Sequence, residues 1–167
     1  MTRTPGKVDQ LRRLGAEPVV CDVFDREALS EVVGRFAPEV VIHQLTDLPD
    51  EAAHVREHAA ANNRVRREGT ANLVDAARAC GARVIAQSVA WSLPGDGGAA
   101  VEAHERTVLD ARGVVLRYGR FFGPGTYFEA ELPPVPRIHV EHAARRTRDA
   151  LDAPSGVILV VDDAQSP

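Results

Sequence analysis

The sequence has little of what marks a secreted, membrane-spanning or nucleic-acid-binding protein. Only two cysteines, Cys21 and Cys80, occur in 167 residues. They lack the short spacing of a metal or disulfide framework, so both read as reduced structural thiols. No apolar run approaches the roughly 20 residues that cross a bilayer, and no signal-peptide pattern is seen, so the expectation is a cytoplasmic protein with no membrane partner. An excess of positive charge is also missing. Lys and Arg number 20 against 24 Asp and Glu, a formal net charge of −4, which argues against nucleic acid as a partner. Two local basic clusters, Arg64, Arg66, Arg67 and Arg145, Arg146, Arg148, read as solvated helix faces. There is no internal repeat and no low-complexity segment.

What is present is a regular alternation. The length suits one domain spanning residues 1–167 with a genuine core. Short apolar, β-branched runs at Glu17–Val23, Glu39–Leu45, Arg83–Ser88, Val114–Tyr118 and Gly156–Val161 predict buried strands. Between them, helical periodicity predicts a short helix over Thr4–Gly15, a helix over Asp25–Phe36 capped by Asp25, and a long helical region from about Glu51 to Cys80, weakest at Gly69. Further helices are expected over about Ala99–Ala111 and Glu141–Leu151, with Pro94–Gly98 as a flexible loop. Helices alternating with continuous β-branched strands imply an α/β fold, Rossmann-like, with a mostly parallel sheet and helices on both faces.

In such sheets ligands collect at the carboxyl ends of the strands. That rule brings Asp22, His43, Asp47, Ser88, Trp91, Arg117, Tyr118 and His139 toward one edge. His43, Asp47, Ser88 and Tyr118 are the candidate catalytic residues, with Asp47 able either to orient His43 or to cap a helix. Trp91, Arg117, Phe122 and His139 are the candidate substrate contacts. His54 and His58, four apart in a predicted helix, have metal-clamp spacing but no evident third ligand, and read as exposed histidines. No metal is expected.

Several stretches resemble the NAD-dependent epimerase/dehydratase family, the extended and atypical short-chain dehydrogenase/reductases. Leu116-Arg117 followed by Gly123-Pro124-Gly125 looks like its LR-to-GPG segment. Cys21-Asp22-Val23-Phe24-Asp25 is similar to the segment whose carboxylate accepts the adenine amino group, which the resemblance assigns to Asp22 as a vestigial contact. Gly69-Thr70-Ala71-Asn72-Leu73 resembles the GTxNL helix, with Arg66 and Arg67 where the family has Asn-Val. Ser88 falls on the family's catalytic Ser/Thr, and Arg137-Ile138-His139-Val140-Glu141-His142 on its IHVDD segment.

Two parts of the family pattern are not found. The strand and Gly-x-x-Gly-x-x-Gly turn that hold the pyrophosphate have no counterpart, and the Tyr-x-x-x-Lys pair is replaced by Gly97 and Val101. From this the expected function is a cofactor-independent acid/base enzyme, carrying out cyclisation, dehydration or isomerisation of a small-molecule substrate, with no cofactor. The alternatives are an NAD- or NADP-dependent oxidoreductase or epimerase whose nucleotide-binding half is supplied elsewhere, and a non-catalytic binding module. Absence of the first βαβ unit would leave open strand edges, so a rearranged sheet or a homodimer is expected.

Overall fold

The structure, a computed structural model, describes residues 1–162. Its centre is a four-stranded sheet in the order β1-β2-β3-β6, formed by β1 (Val40–His43), β2 (Arg83–Val89), β3 (Val114–Tyr118) and β6 (Gly156–Val160). All three pairings are parallel. Each strand is too short to fold alone, and each parallel pairing needs a crossover, which the helices supply. After β3 the chain enters a second, two-stranded parallel sheet, β4 (Arg120–Phe122) with β5 (Arg137–His139). The Gly-Pro-Gly loop lies between those two strands.

Both faces of the main sheet are covered. On one, Ile85, Leu116, Tyr118 and Val160 pack with Ile138, Ala143 and Ala150, the last two on and just after α6 (Val140–Asp149). On the other, Val84, Ala86 and Val115 meet Val74 and Ala77 of α4 (Thr70–Ala79) and Val108 of α5 (Gly95–Asp110). A third cluster joins Cys21, Val23, Leu29, Val33, Leu73 and Ala76, so that α2 (Arg26–Phe36) is pinned between residues 19–23 and α4. Complete burial of a Leu or Ile contributes about 1.5–3 kcal/mol, and Leu29, Ile85, Leu116 and Ile138 are all fully buried.

Local chemistry explains most element ends. Asp25 caps α2 by accepting the Ala28 amide at 3.1 Å, as its position before an amphipathic run requires. The chain leaves α2 through Ala37 in the left-handed region. The short helix α1 (Val8–Arg13) stops before Gly15, whose φ is +83°. It buries no residue, and Leu14 is exposed.

Three expectations change. Glu17–Val23 does not form a sheet strand; it makes a single parallel bridge, Thr2 to Val20. It neither pairs with β1 nor rearranges the sheet. The long helix expected over 51–80 begins only at Ala59, after a short 3₁₀ turn at Ala52–His54, and runs without a gap through α3 (Ala59–Arg64), a π-helical turn at Val65–Gly69 and α4. His54 and His58 therefore do not share one helix; His54 faces Glu51 and Glu57, while His58 lies 3.9 Å from Asp47. The loop expected at Pro94–Gly98 is instead the first turn of α5. Its glycines are poor helix formers, but Arg67 and Asn63 both hold the Asp96 carboxylate, and Gly98 lies so close to the Leu93 carbonyl that a Cβ would stand 2.4 Å from it. Tertiary contacts override propensity there.

Gly119 is the point at which the chain passes from the main sheet to the small one. A Cβ there would lie 2.6 Å from the Arg137 backbone. Gly119→Ala is expected to lower stability by about 1–3 kcal/mol through overpacking. Urea unfolding read by circular dichroism checks this, and an unchanged midpoint would mean that β5 shifts freely away from β3.

Candidate functional site

The carboxyl ends of the strands carry two separate constellations. The first is buried. His43 at the end of β1 is 2% exposed and His104 on α5 is 3% exposed. Their rings meet edge to face at 5.2 Å. Between them stands Thr70, the first residue of α4, with its Oγ1 at 2.9 Å from His43 Nε2 and 2.7 Å from His104 Nδ1. The outer ends fix the direction of this chain. Leu45 N–H donates to His43 Nδ1, and His104 Nε2–H faces the Gln87 carbonyl at 2.9 Å. His43 Nε2–H therefore donates to Thr70, whose hydroxyl donates to His104 Nδ1, and both rings are neutral.

Burial, then the neighbouring His104, pushes the His43 pKa down to about 3. The His104 pKa is also lowered, chiefly by burial. With both its nitrogens already engaged, His43 has no site left to take a proton from substrate. The candidate His43–Asp47 dyad does not form. Asp47 instead accepts from Arg3 at 2.7 Å, and its amide donates to Asn62 Oδ1 at 3.0 Å.

The second constellation lies along β2, β3 and α5. Ser88 Oγ–H donates to Glu105 Oε1 at 2.5 Å, and Arg117 Nε donates to the same oxygen at 2.9 Å. A second guanidinium nitrogen of Arg117 holds Oε2. Burial would raise the Glu105 pKa, but Arg117 and Ser88 outweigh it and hold the carboxyl below its ordinary range. Glu105 is thus a buried carboxylate that fixes the Ser88 hydroxyl and half of the Arg117 fork. The sequence pattern did not mark Glu105 or His104 as functional. Both sit in a helix whose apolar stripe hid them.

Tyr118 is 3% exposed and packs against Phe121 with ring centroids 5.3 Å apart. Thr147 donates its own hydroxyl to the Ala143 carbonyl, so the Tyr118 hydroxyl donates to Thr147. Burial raises its pKa. In this position it is a core aromatic with a satisfied hydroxyl. Trp91 is half-buried, with the Arg120 guanidinium 4.5 Å above its ring. Phe122 stacks edge to face on His139 at 5.2 Å. His139 also caps α6 by accepting the Glu141 amide. Gly123 (φ +103°) leaves room for that ring: a Cβ would lie 2.5 Å from His139 Nε2. The Gly-Pro-Gly loop is therefore fitted against His139.

Asp22 lies on the opposite side of β1, at a cavity of about 280 Å³ lined also by Arg3, Lys7, Phe24, Gln44, Leu45 and Asp47. One Asp22 oxygen accepts the Phe24 amide at 3.0 Å. The other has no protein partner among the described residues. Arg64 packs over the Phe24 ring at 3.8 Å and pairs with Glu68, while Arg67 is committed to Asp96. Arg64 is exposed, as a solvated helix face requires, while Arg66 and Arg67 are half-buried. Among the described residues no group of three or more His, Cys, Asp or Glu could hold a metal, and no helix is long and apolar enough to cross a membrane.

A parallel sheet with helices on both faces is a Rossmann-like α/β fold. The profile of the NAD dependent epimerase/dehydratase family matches residues 2–110, and the chain belongs to that family. It is 36% identical over 193 residues to a Streptomyces protein named 3-diazoavenalumate denitrifying reductase. The match covers 89% of this chain and 64% of that protein. Among solved structures, UDP-glucose 4-epimerase of Thermotoga maritima with UDP-glucose superposes with a TM-score of 0.67 at 17% identity, covering 93% of this chain and 72% of that one. The Brucella ovis UDP-glucose 4-epimerase in complex with NAD gives 0.65 at 21%, covering 85% and 62%.

These findings correct the expectation of a protein without cofactor. The family is NAD dependent, the Streptomyces relative is named a reductase, and a structural neighbour holds NAD. The preference for cyclisation, dehydration or isomerisation finds no support beside a reductase. The residues present fit one end of a dinucleotide. Asp22, with an oxygen that has no partner among the described residues, and the Gln44–Leu45 stretch after β1 are the residues that could hold an adenosine, as a polar edge and an apolar wall. No loop of bare amides for the pyrophosphate stands beside them, and Gly97 and Val101, one turn apart on α5, offer no proton donor.

The buried histidines make a pH prediction. The unfolded chain takes up histidine protons near pH 6.5 or so, whereas folded His43 does not until about pH 3. Native stability is then complete above that unfolded value and declines as pH falls through the window, by up to about 5 kcal/mol for His43 alone. Urea midpoints should fall between roughly pH 6.5 and pH 5, above the carboxylate range. A flat midpoint across that window would show that one ring is charged in the native state.

Proposed function

We propose that this chain is the substrate-facing and adenosine-facing part of an NAD(P)-dependent oxidoreductase, with the pyrophosphate-binding part supplied by polypeptide outside these 167 residues. The observation that carries this is the cavity at the carboxyl ends, where Asp22, Gln44 and Leu45 converge. The 36% identity to a reductase supports the same reading. Because the residues present fit only one end of the dinucleotide, no chemical step is routed through it here.

The Streptomyces relative's name couples reduction to loss of nitrogen from a diazo compound. A reduction that creates no new hydroxyl group needs no proton delivered to a carbonyl oxygen. That removes the chief objection raised by Gly97 and Val101. The substrate in this reading is a small, electron-poor molecule. Candidate contacts are Trp91, Arg117, Phe122 and His139, with Ser88 held in one orientation by Glu105. His43 and Tyr118 are buried and hold Thr70 and Thr147 instead.

Calorimetric titration with NAD and NADP tests the proposal. The chain alone is expected to bind either no tighter than about millimolar, since one good charged hydrogen bond contributes only about 1.5–3 kcal/mol. Asp22→Ala should weaken that by roughly tenfold. Joined to the missing part, the protein should bind in the micromolar range and consume NAD(P)H with a diazo substrate. Absence of nucleotide binding by the joined protein, or binding indifferent to Asp22→Ala, would overturn the assignment.

A further inference from the structure

Past β3, the small sheet sets two cations side by side. Arg120 and Arg137 are Cα partners across β4 and β5, so both side chains leave the same face. Alternation puts Phe122 and His139 on that face too, while Phe121 and Ile138 turn toward the core around Tyr118. Like charges standing opposite each other on a sheet are unfavourable unless something relieves them. Nothing acidic does so among the described residues. Arg120 Nη1 donates to the Pro134 and Val135 carbonyls at 3.4 and 3.1 Å, and Arg137 Nη1 to the Pro133 carbonyl at 3.2 Å. Asp162, whose amide donates to the Arg137 carbonyl, spends its own carboxylate on the His139 amide and on His142.

Each of the two guanidiniums thus keeps one whole edge, Nε with Nη2, without a protein partner among the described residues. Arg117 shows what that edge takes when an acid is present: its Nε and Nη2 grip the two oxygens of Glu105. The Arg120 guanidinium lies over the Trp91 ring at 4.5 Å from its centre, a contact that fixes the cation without neutralising it. Arg120, Arg137, Trp91 and Phe122 are all half-buried. Trp91 follows β2 and Arg120 follows β3, so the pair stands at the carboxyl edge of the main sheet.

We propose that these two open edges hold the carboxylate of the substrate, the anion of a planar, conjugated acid whose skeleton lies along Trp91 and Phe122. A carboxylate offers two coplanar oxygens, the match for a guanidinium edge. The two rings offer its skeleton flat apolar surface. The assignment deepens the oxidoreductase reading by naming the charged end of the substrate, and rests on that reading only for the reaction the bound anion undergoes.

Trp91 is the chain's one tryptophan, so a single indole N–H signal in NMR reports on Arg120 directly. The full chain, with no nucleotide present, is titrated with cinnamate and with its neutral isostere cinnamamide. Cinnamate is expected to shift that signal saturably with a Kd of about one millimolar, and cinnamamide to bind at least tenfold more weakly. Arg120→Gln and Arg137→Gln should each weaken cinnamate about tenfold. Arg120→Lys, which keeps the charge and loses the edge, should fall between wild type and Arg120→Gln. Because Arg120 also pins the Pro134–Val135 stretch, urea midpoints of the variants are compared first, and the contrast between acid and amide in the wild-type chain stands even where a variant does not fold. Equal binding of cinnamate and cinnamamide, no saturation by roughly ten millimolar, or cinnamate binding unchanged in both Gln variants overturns the proposal. Inorganic phosphate binding more tightly than cinnamate overturns it too, and would assign the pair to a phosphoryl group. Since nucleotide is absent, failure here leaves dinucleotide binding to be judged separately, and a chain that fails to bind NAD can still bind cinnamate.

Discussion

The structure depends on a column of neutral hydrogen bonds running through His43, Thr70 and His104 to the Gln87 carbonyl. It ties the end of β1 to α4, α5 and β2 with no formal charge inside the core. Burying an unpaired imidazole would be costly, whereas here every nitrogen has a partner and a consistent direction. No buried side-chain nitrogen or oxygen is left unsatisfied among the described residues. The column therefore fixes how α4 and α5 sit on the sheet, and with them the place of every residue on the carboxyl edge. A charge on either ring would break its directionality. That is why the residues best suited to acid/base work by type are the ones least free to do it.

A charged counterpart lies one strand over. Glu105 is buried, yet it stays ionised because Arg117 grips both of its oxygens and Ser88 adds a third bond. Removing either partner would leave a buried carboxylate undercompensated, which commonly costs several kcal/mol. Ser88 and Arg117 are thus positioned by a residue that is only 6% exposed. The site edge is rigid on this side, through β2, β3 and α5, and open on the other, where β1 lacks a neighbour.

Much of this was legible in the residues. Val40–His43, Arg83–Val89, Val114–Tyr118 and Gly156–Val160 read as buried strands because their β-branched runs are continuous. The Asp25 cap was equally plain. What failed was whatever depends on distant partners. Gly95, Gly97 and Gly98 look like loop and fold as helix around Asp96, whose carboxylate Arg67 and Asn63 hold from about thirty residues earlier in the sequence. Glu17–Val23 reads as a strand and has almost nothing to pair with. The histidines, the acid and the tyrosine were found by residue type, but type does not reveal whether both ring nitrogens are already spent. His104 escaped notice, and Glu105 was read only as a position matching the family's later Glu, because a buried polar residue inside an amphipathic helix leaves no periodic signal.

The reading of the missing glycine-rich turn as loss of a cofactor failed for a different reason. A motif absent from a sequence and a site absent from a fold are separate statements. A parallel strand joins its neighbours through backbone groups alone, so it can be removed without altering a side chain on either flank. The flanks here have not degraded. Among the described residues one Asp22 carboxylate oxygen has no partner, and it stands at a cavity lined also by Gln44 and Leu45. An apolar strand edge exposed to water invites association and is ordinarily blunted by charge or proline, and at Ile42, 46% exposed, β1 carries neither.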